Sequence, residues 1–255
     1  MHHIRMGNGS ALLLLHGFCS SAETWGGTAA YLARDFDVIV PSWPGFGMSV
    51  TEGPCTTIDA FVQHLLSLVK DLEIDRFSVL AHSFGSFVLQ ELMINHASRL
   101  SAAVLYGAGL KIDSASRFET AEQTTAFLEA AGVEATVRKV AATWFIRGER
   151  DPAYPATVAA GLSMTKPAGI AMIRAAKDVD FSTRLPASTT PALVINGEKE
   201  RTFPPSMALA LATSLPKGSL CILPGCAHAA HLEDPAIFNA IVKNGLLRML
   251  KQNCT

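Results

Sequence analysis

The chain carries no excess of either charge. Its 255 residues hold 21 lysines and arginines against 22 aspartates and glutamates, a formal net charge of -1. With no basic run, it lacks the field that gathers nucleic acid or anionic lipid, and binding to either is not expected. Cysteine is scarce and poorly spaced: Cys19, Cys55, Cys221, Cys226 and Cys254 form an odd set without a C-x-x-C pair, which argues against a disulfide framework and against a zinc site. Long apolar runs are missing too. The run 11–15 falls far short of the ~20 residues a bilayer needs, and the opening Met1-His2-His3-Ile4-Arg5 has no charged-then-apolar leader pattern. The expectation is a cytoplasmic protein. Only 17% of residues are charged and 49% are hydrophobic, so enough surface can be buried to offset chain entropy, which excludes wholesale disorder.

What is present is an alternation of short apolar runs with stretches of helical periodicity. That pattern predicts an α/β fold, a mostly parallel sheet with helices on both faces. Strands are predicted over 11–15, 37–41, 77–80, 102–106, 192–196 and 219–223. In 58–72, Phe61, Leu65, Leu68, Val69 and Leu72 recur at spacings of three and four, an amphipathic crossover helix. Phe238, Ile241, Val242, Leu246, Leu247 and Leu250 repeat the pattern in a last helix. The rhythm breaks over 110–184, where helix-like stretches (120–131, 134–146, 167–177) are punctuated by Gly132, Gly148, Pro152, Pro155, Gly161 and Pro167. The expected organisation is one core, 1–109 with 185–255, and a helical cap inserted at 110–184.

Chemistry gathers around the segment Ala81-His82-Ser83-Phe84-Gly85, which follows the strand 77–80 and precedes a helical run through Phe87, Val88, Leu89, Leu92 and Met93. A serine on such a turn projects its hydroxyl above the sheet edge, needs small neighbours two residues either side, and lies at a helix N-terminus suited to a developing anion. A serine nucleophile needs a base. Of eight histidines, His228 lies just after the final strand, at the carboxyl edge where sites of parallel sheets gather. His82 is expected to pack, His16 to hold the loop after the first strand, and His231 to cap or pack.

Further motifs occur in order along the chain: His16-Gly17-Phe18, Pro44-Gly45-Phe46-Gly47-Met48-Ser49, Gly197-Glu198-Lys199-Glu200 with Pro204, and Gly225-Cys226-Ala227-His228 with His231-Leu232-Glu233-Asp234-Pro235. With the serine turn, these resemble the α/β-hydrolase superfamily over nearly the whole length. Three positions depart from its pattern. Ala81 replaces the first glycine of G-x-S-x-G, Ser42 stands where relatives often have Asp, and Glu200 where most have Asp.

The resemblance implies a serine hydrolase working through an acyl-enzyme, with Ser83 as nucleophile, His228 as base and Glu200 as the orienting acid in the order Ser, acid, His. Glu198 and Asp113 are the alternative acids. Backbone N–H groups of Phe18 and Phe84 would form the oxyanion hole. No metal and no cofactor are implied, and the partner is a small-molecule ester or related substrate. Small carboxylesterases, enol-lactone hydrolases and C–C bond (meta-cleavage product) hydrolases share the layout, and some relatives act as slow-turnover ligand sensors. Within the cap, Phe127, Trp144, Phe145 and Met164 are candidates for an apolar pocket. Ten Lys and Arg against nine Asp and Glu over 110–184 offer no steering toward a strongly anionic substrate.

Overall fold

A strand covered on both faces needs apolar side chains at successive positions, and 11–15 supplies them. In the computed structural model, which describes residues 1–112 and 119–252, that run forms β2 (Ser10–Leu15). It lies in a seven-stranded sheet with β1 (His3–Met6), β3 (Phe36–Pro41), β4 (Phe77–His82), β5 (Leu100–Tyr106), β6 (Ala192–Gly197) and β7 (Gly218–Leu223). The order is β1-β3-β2-β4-β5-β6-β7, parallel throughout except for β1 against β3. The six strands expected from sequence are β2 to β7. β1 was not foreseen, because four residues that include His3 and Arg5 make no apolar run. It holds the edge through Arg5, whose guanidinium forks onto Asp37 of β3 at 2.9 and 2.7 Å.

Alternate side chains feed two cores. Leu13, Leu15, Val79, Ala81, Ala103 and Leu105 pack in one with α2 (Ile58–Asp71) and α3 (Phe84–Asn95). Leu12, Leu14, Leu80, Val104 and Tyr106 pack in the other with α1 (Gly26–Leu32) and α9 (Pro235–Gln252). The β6–β7 crossover is α7 (Pro205–Ser214), and α8 (Ala230–Glu233) leads into α9. Among the described residues, no helix is long and apolar enough to cross a membrane.

Between β5 and β6 lie α4 (Ala121–Thr143), α5 (Tyr154–Gly161) and α6 (Lys166–Ala176). As expected from the sequence, the α4 span is two helical runs that meet at Gly132, whose φ 83°, ψ 179° is not helical and is a conformation open to glycine. α5 was not singled out from sequence. Pro155 reads as a breaker but occupies the first turn, where its missing N–H costs nothing. These helices sit on the loop after β3: Thr165 N–H donates to Gly45 O (2.9 Å) and Gly47 N–H to Ser163 Oγ (3.1 Å). A Cβ on Gly45, at φ 84°, would lie 2.3 Å from that of Ala168, so this glycine admits a helix.

Three fully buried imidazoles line the carboxyl edge of the sheet. The His16 Nε2 accepts from Trp43 N–H (3.1 Å), which leaves its proton on Nδ1 for Gly17 O (2.9 Å). His82 stacks on Tyr106 with ring centroids 4.5 Å apart, and His231 lies 4.8 Å from Trp25. Burial lowers all three: His16 to about 4, His231 to about 3 with help from His228, and His82 well below its usual value. All three are therefore neutral in the fold, while in the unfolded chain they take up protons near 6.5. Acid then favours the unfolded state, and stability falls as pH drops from 6.5 toward 4, by up to about 1.4 kcal/mol per pH unit for each histidine. Urea titrations at pH 7.5, 6.0 and 5.0 should give steadily lower midpoints. A flat midpoint across that range would show that the layer protonates freely in the native state.

Candidate active site

A turn that joins a strand directly to a helix leaves its corner residue little choice of backbone. Ser83, between β4 and α3, has φ 53° and ψ -116°, a conformation costing on the order of 1–3 kcal/mol. Its N–H donates to Tyr106 O (2.9 Å), and its carbonyl accepts from Ser86 N–H (2.9 Å). A Cβ on Gly85 would lie 2.8 Å from Leu15 O, and one on Gly17 would lie 3.0 Å from Ser83 Cβ. Ala81 is wholly buried among the apolar side chains of the α2–α3 core, so the extra methyl of this departure is absorbed away from the turn. Phe84 opens α3 and has no carbonyl one turn back within the helix. Phe18 lies in the loop after β2. Neither amide donates to another backbone group among the described residues.

His228 follows β7 and is buried. Its Nδ1–H donates to Glu200 Oε2. The other oxygen, Glu200 Oε1, accepts from the amides of Thr202 (2.6 Å) and Phe203 (3.4 Å). Burial works to raise this carboxyl, but the His228 ring and the two amides outweigh it and hold Glu200 below the ordinary carboxylate range. Room for the pair comes from Gly107 at φ 57°, where a Cβ would stand 3.1 Å from His228 Nδ1. The His228 carbonyl accepts from Tyr106 Oη (2.6 Å) and from His82 Nε2 (3.0 Å), so both backbone and ring are held. Of the other candidate acids, Glu198 is exposed, accepts from Gly225 N–H (3.0 Å) and pairs with Lys199. Asp113 lies outside the described residues.

Two small chambers adjoin Ser83. One, of about 70 Å³, is apolar, with Phe18, Phe84, Phe87, Ile112, Met172, Ile173 and Phe203 in its walls. The second, of about 50 Å³, is shared by Ser83 and His228 and carries three threonines, Thr124, Thr143 and Thr202, with Phe18, Val140 and Trp144. Of the four residues expected in the pocket, only Trp144 lines either chamber. Phe145, the next residue, is buried in the core, and Met164 packs against the Gly169 face of α6. The Phe127 ring is covered by the Lys139 ammonium at 4.2 Å. Val140, Thr143 and Trp144, at i, i+3 and i+4, share one side of the helical run after Gly132 and line the second chamber, a facing that a list of apolar residues does not contain. Gly107, Tyr106 and the threonines were also missed. Only Gly107 left a signal, a glycine at the carboxyl end of a parallel strand.

The chain resembles known proteins in sequence and in fold. It is 25% identical over 249 residues to a Klebsiella pneumoniae protein named "Putative carbamate hydrolase RutD", covering 94% of this chain and 92% of that one. Among solved structures it superposes on the enol-lactonase from Burkholderia xenovorans LB400 with a TM-score of 0.89, at 22% identity and 96% coverage of both chains. A thermophilic esterase from Thermogutta terrifontis gives 0.85 at 23% identity, covering 97% of this chain and 93% of that one. The family model described as alpha/beta hydrolase fold matches residues 10–235, and the chain belongs to that family.

Proposed function

We propose that this chain is a serine hydrolase that cleaves carboxylic esters of small molecules through an acyl-enzyme, without metal or cofactor. Membership in the family, together with a relative and neighbours named as hydrolases, supports hydrolytic chemistry. The observation that carries the finer reading is that His228, paired with the buried Glu200, lines the same chamber as the strained Ser83. Ser83 Oγ attacks the ester carbonyl carbon while His228 Nε2 takes its proton, and Glu200 fixes the tautomer and stabilises the imidazolium. The amides of Phe18 and Phe84 receive the oxyanion. Collapse expels the alcohol with the proton from His228 and leaves Ser83 acylated. A water then gives its proton to His228, attacks the acyl carbonyl, and the acid departs as Ser83 recovers its proton.

In this reading the helices between β5 and β6 act as a cap. The apolar chamber takes the acyl chain, and the threonine-lined one takes the alcohol. None of the described residues lining the apolar chamber is charged, which favours a neutral acyl group. A second reading comes from the Klebsiella relative's name: a carbamate presents its carbonyl to the same attack.

Replacing Ser83 or His228 with Ala should lower kcat by roughly four to six orders of magnitude, and Glu200→Gln by about two to four, with KM little changed. Ser83→Ala should abolish labelling by a fluorophosphonate, and retained labelling would move the nucleophile elsewhere. If Asp113→Asn is crippling while Glu200→Gln stays active, the acid has been misassigned. Stoichiometric labelling with turnover slower than one per hour on every ester and carbamate offered would favour a ligand sensor.

By a measure in which a water needs roughly 10–15 Å³, the apolar chamber holds about five water-sized groups. A p-nitrophenyl ester series should therefore peak near butyrate, with octanoate at least about tenfold lower in kcat/KM. Activity that climbs through octanoate would take the acyl chain out of this chamber.

A further inference from the structure

Neither the chemistry nor the chambers use Glu233, the last residue of α8, yet its carboxylate is fully engaged. Oε2 accepts from the amide of Ala227 (2.6 Å), the residue just before His228. Oε1 accepts from the amide of Ile146 (2.8 Å), two residues past Trp144. A third tie runs alongside, from Ala229 N–H to Trp144 O (3.0 Å). The loop that carries His228 is thus joined on both sides to the segment that carries the Trp144 wall, and one carboxylate makes two of the three bonds. Burial pushes the Glu233 carboxyl above its usual range against the pull of the two amides, and the carboxylates of Asp151 and Glu200 add to the rise. Only part of the group is buried, beside a surface hollow between Ile146, Asp151, Gly225 and Leu232. A charge kept in such a place does more than solvate a surface.

We propose that Glu233 is a positioning residue that locks the His228 loop to the end of α4, so that base and chamber wall are set together. The inference rests on the reading of His228 as the base. Glu233→Gln keeps the size of the side chain but replaces one acceptor oxygen with a donor, so it can satisfy only one of the two amides. Glu233→Asp keeps the charge with a reach shorter by one methylene.

The test is residue-resolved amide hydrogen exchange at Ala227 and Ile146, beside steady-state kinetics on p-nitrophenyl butyrate with the full chain. In Glu233→Gln, exchange at one or both amides should rise at least tenfold while the sheet amides stay protected. Its kcat should fall by on the order of 10- to 100-fold with KM changed less than about threefold, and Glu233→Asp should recover part of the loss. Wild-type exchange at both amides in a folded Glu233→Gln, or wild-type kcat despite loosened amides, overturns the proposal. Should Glu233→Gln fail to fold, Glu233→Asp is held to the same two measurements. Exchange does not depend on which residue is the base, so near-normal turnover in His228→Ala with loosened amides in Glu233→Gln would fault the catalytic reading and leave the lock standing.

Discussion

Much of the structure around the candidate site follows from one residue in an awkward conformation. A side-chain-bearing residue at φ 53°, ψ -116° persists only where its surroundings leave no alternative. Here β4 supplies the run-in, α3 begins at the very next residue, and Tyr106 O on β5 takes the Ser83 amide. Gly85 lies against the end of β2 and Gly17 against Ser83 itself. Three adjacent strands and the loop after one of them are thus committed to a single corner, and the burial of both sheet faces offsets its strain.

What the residue string revealed follows the same division. β2 to β6 were legible because strands covered on both faces must be apolar at successive positions, β7 as a shorter apolar run although it is a half-buried edge strand, and α2 and α9 because one-sided burial leaves a three-and-four spacing. The serine turn and the His228 loop stand where their motifs put them, between β4 and α3 and after β7. β1 could not, since an edge strand held by the Arg5–Asp37 pair needs no apolar run. The lining of the chambers is hidden in the sequence for a different reason. The chamber wall is one side of a helical run, Val140, Thr143 and Trp144, and no count of aromatics between 110 and 184 says which side faces Ser83.

The acidic position shows how far residue type alone can reach. Glu198 and Glu200 sit in one short loop, and nothing in their spacing separates them. The fold does so through backbone donors: the Gly225 amide draws Glu198 to the outer side of the loop, while the Thr202 and Phe203 amides hold Glu200 inward against His228. The bonded pair lies against Gly107, where a Cβ would stand 3.1 Å from His228 Nδ1 and 3.4 Å from Glu200 Oε2.

The helices over the carboxyl edge are fastened unequally. Near 45–47 and 144–146 they are held by hydrogen bonds that involve the backbone. Around the first half of α4, beside Ala121 and Thr124 at the chambers, the ties include ion pairs to solvent-facing lysines and arginines: Lys139–Glu119, Arg174–Glu129 and Lys177–Glu122. Such pairs are worth about 0–1 kcal/mol each and weaken as counterions gather. Ionic strength therefore acts selectively on this assembly, relaxing the rim at the start of α4 while leaving the seats at Gly45 and Trp144 as they are.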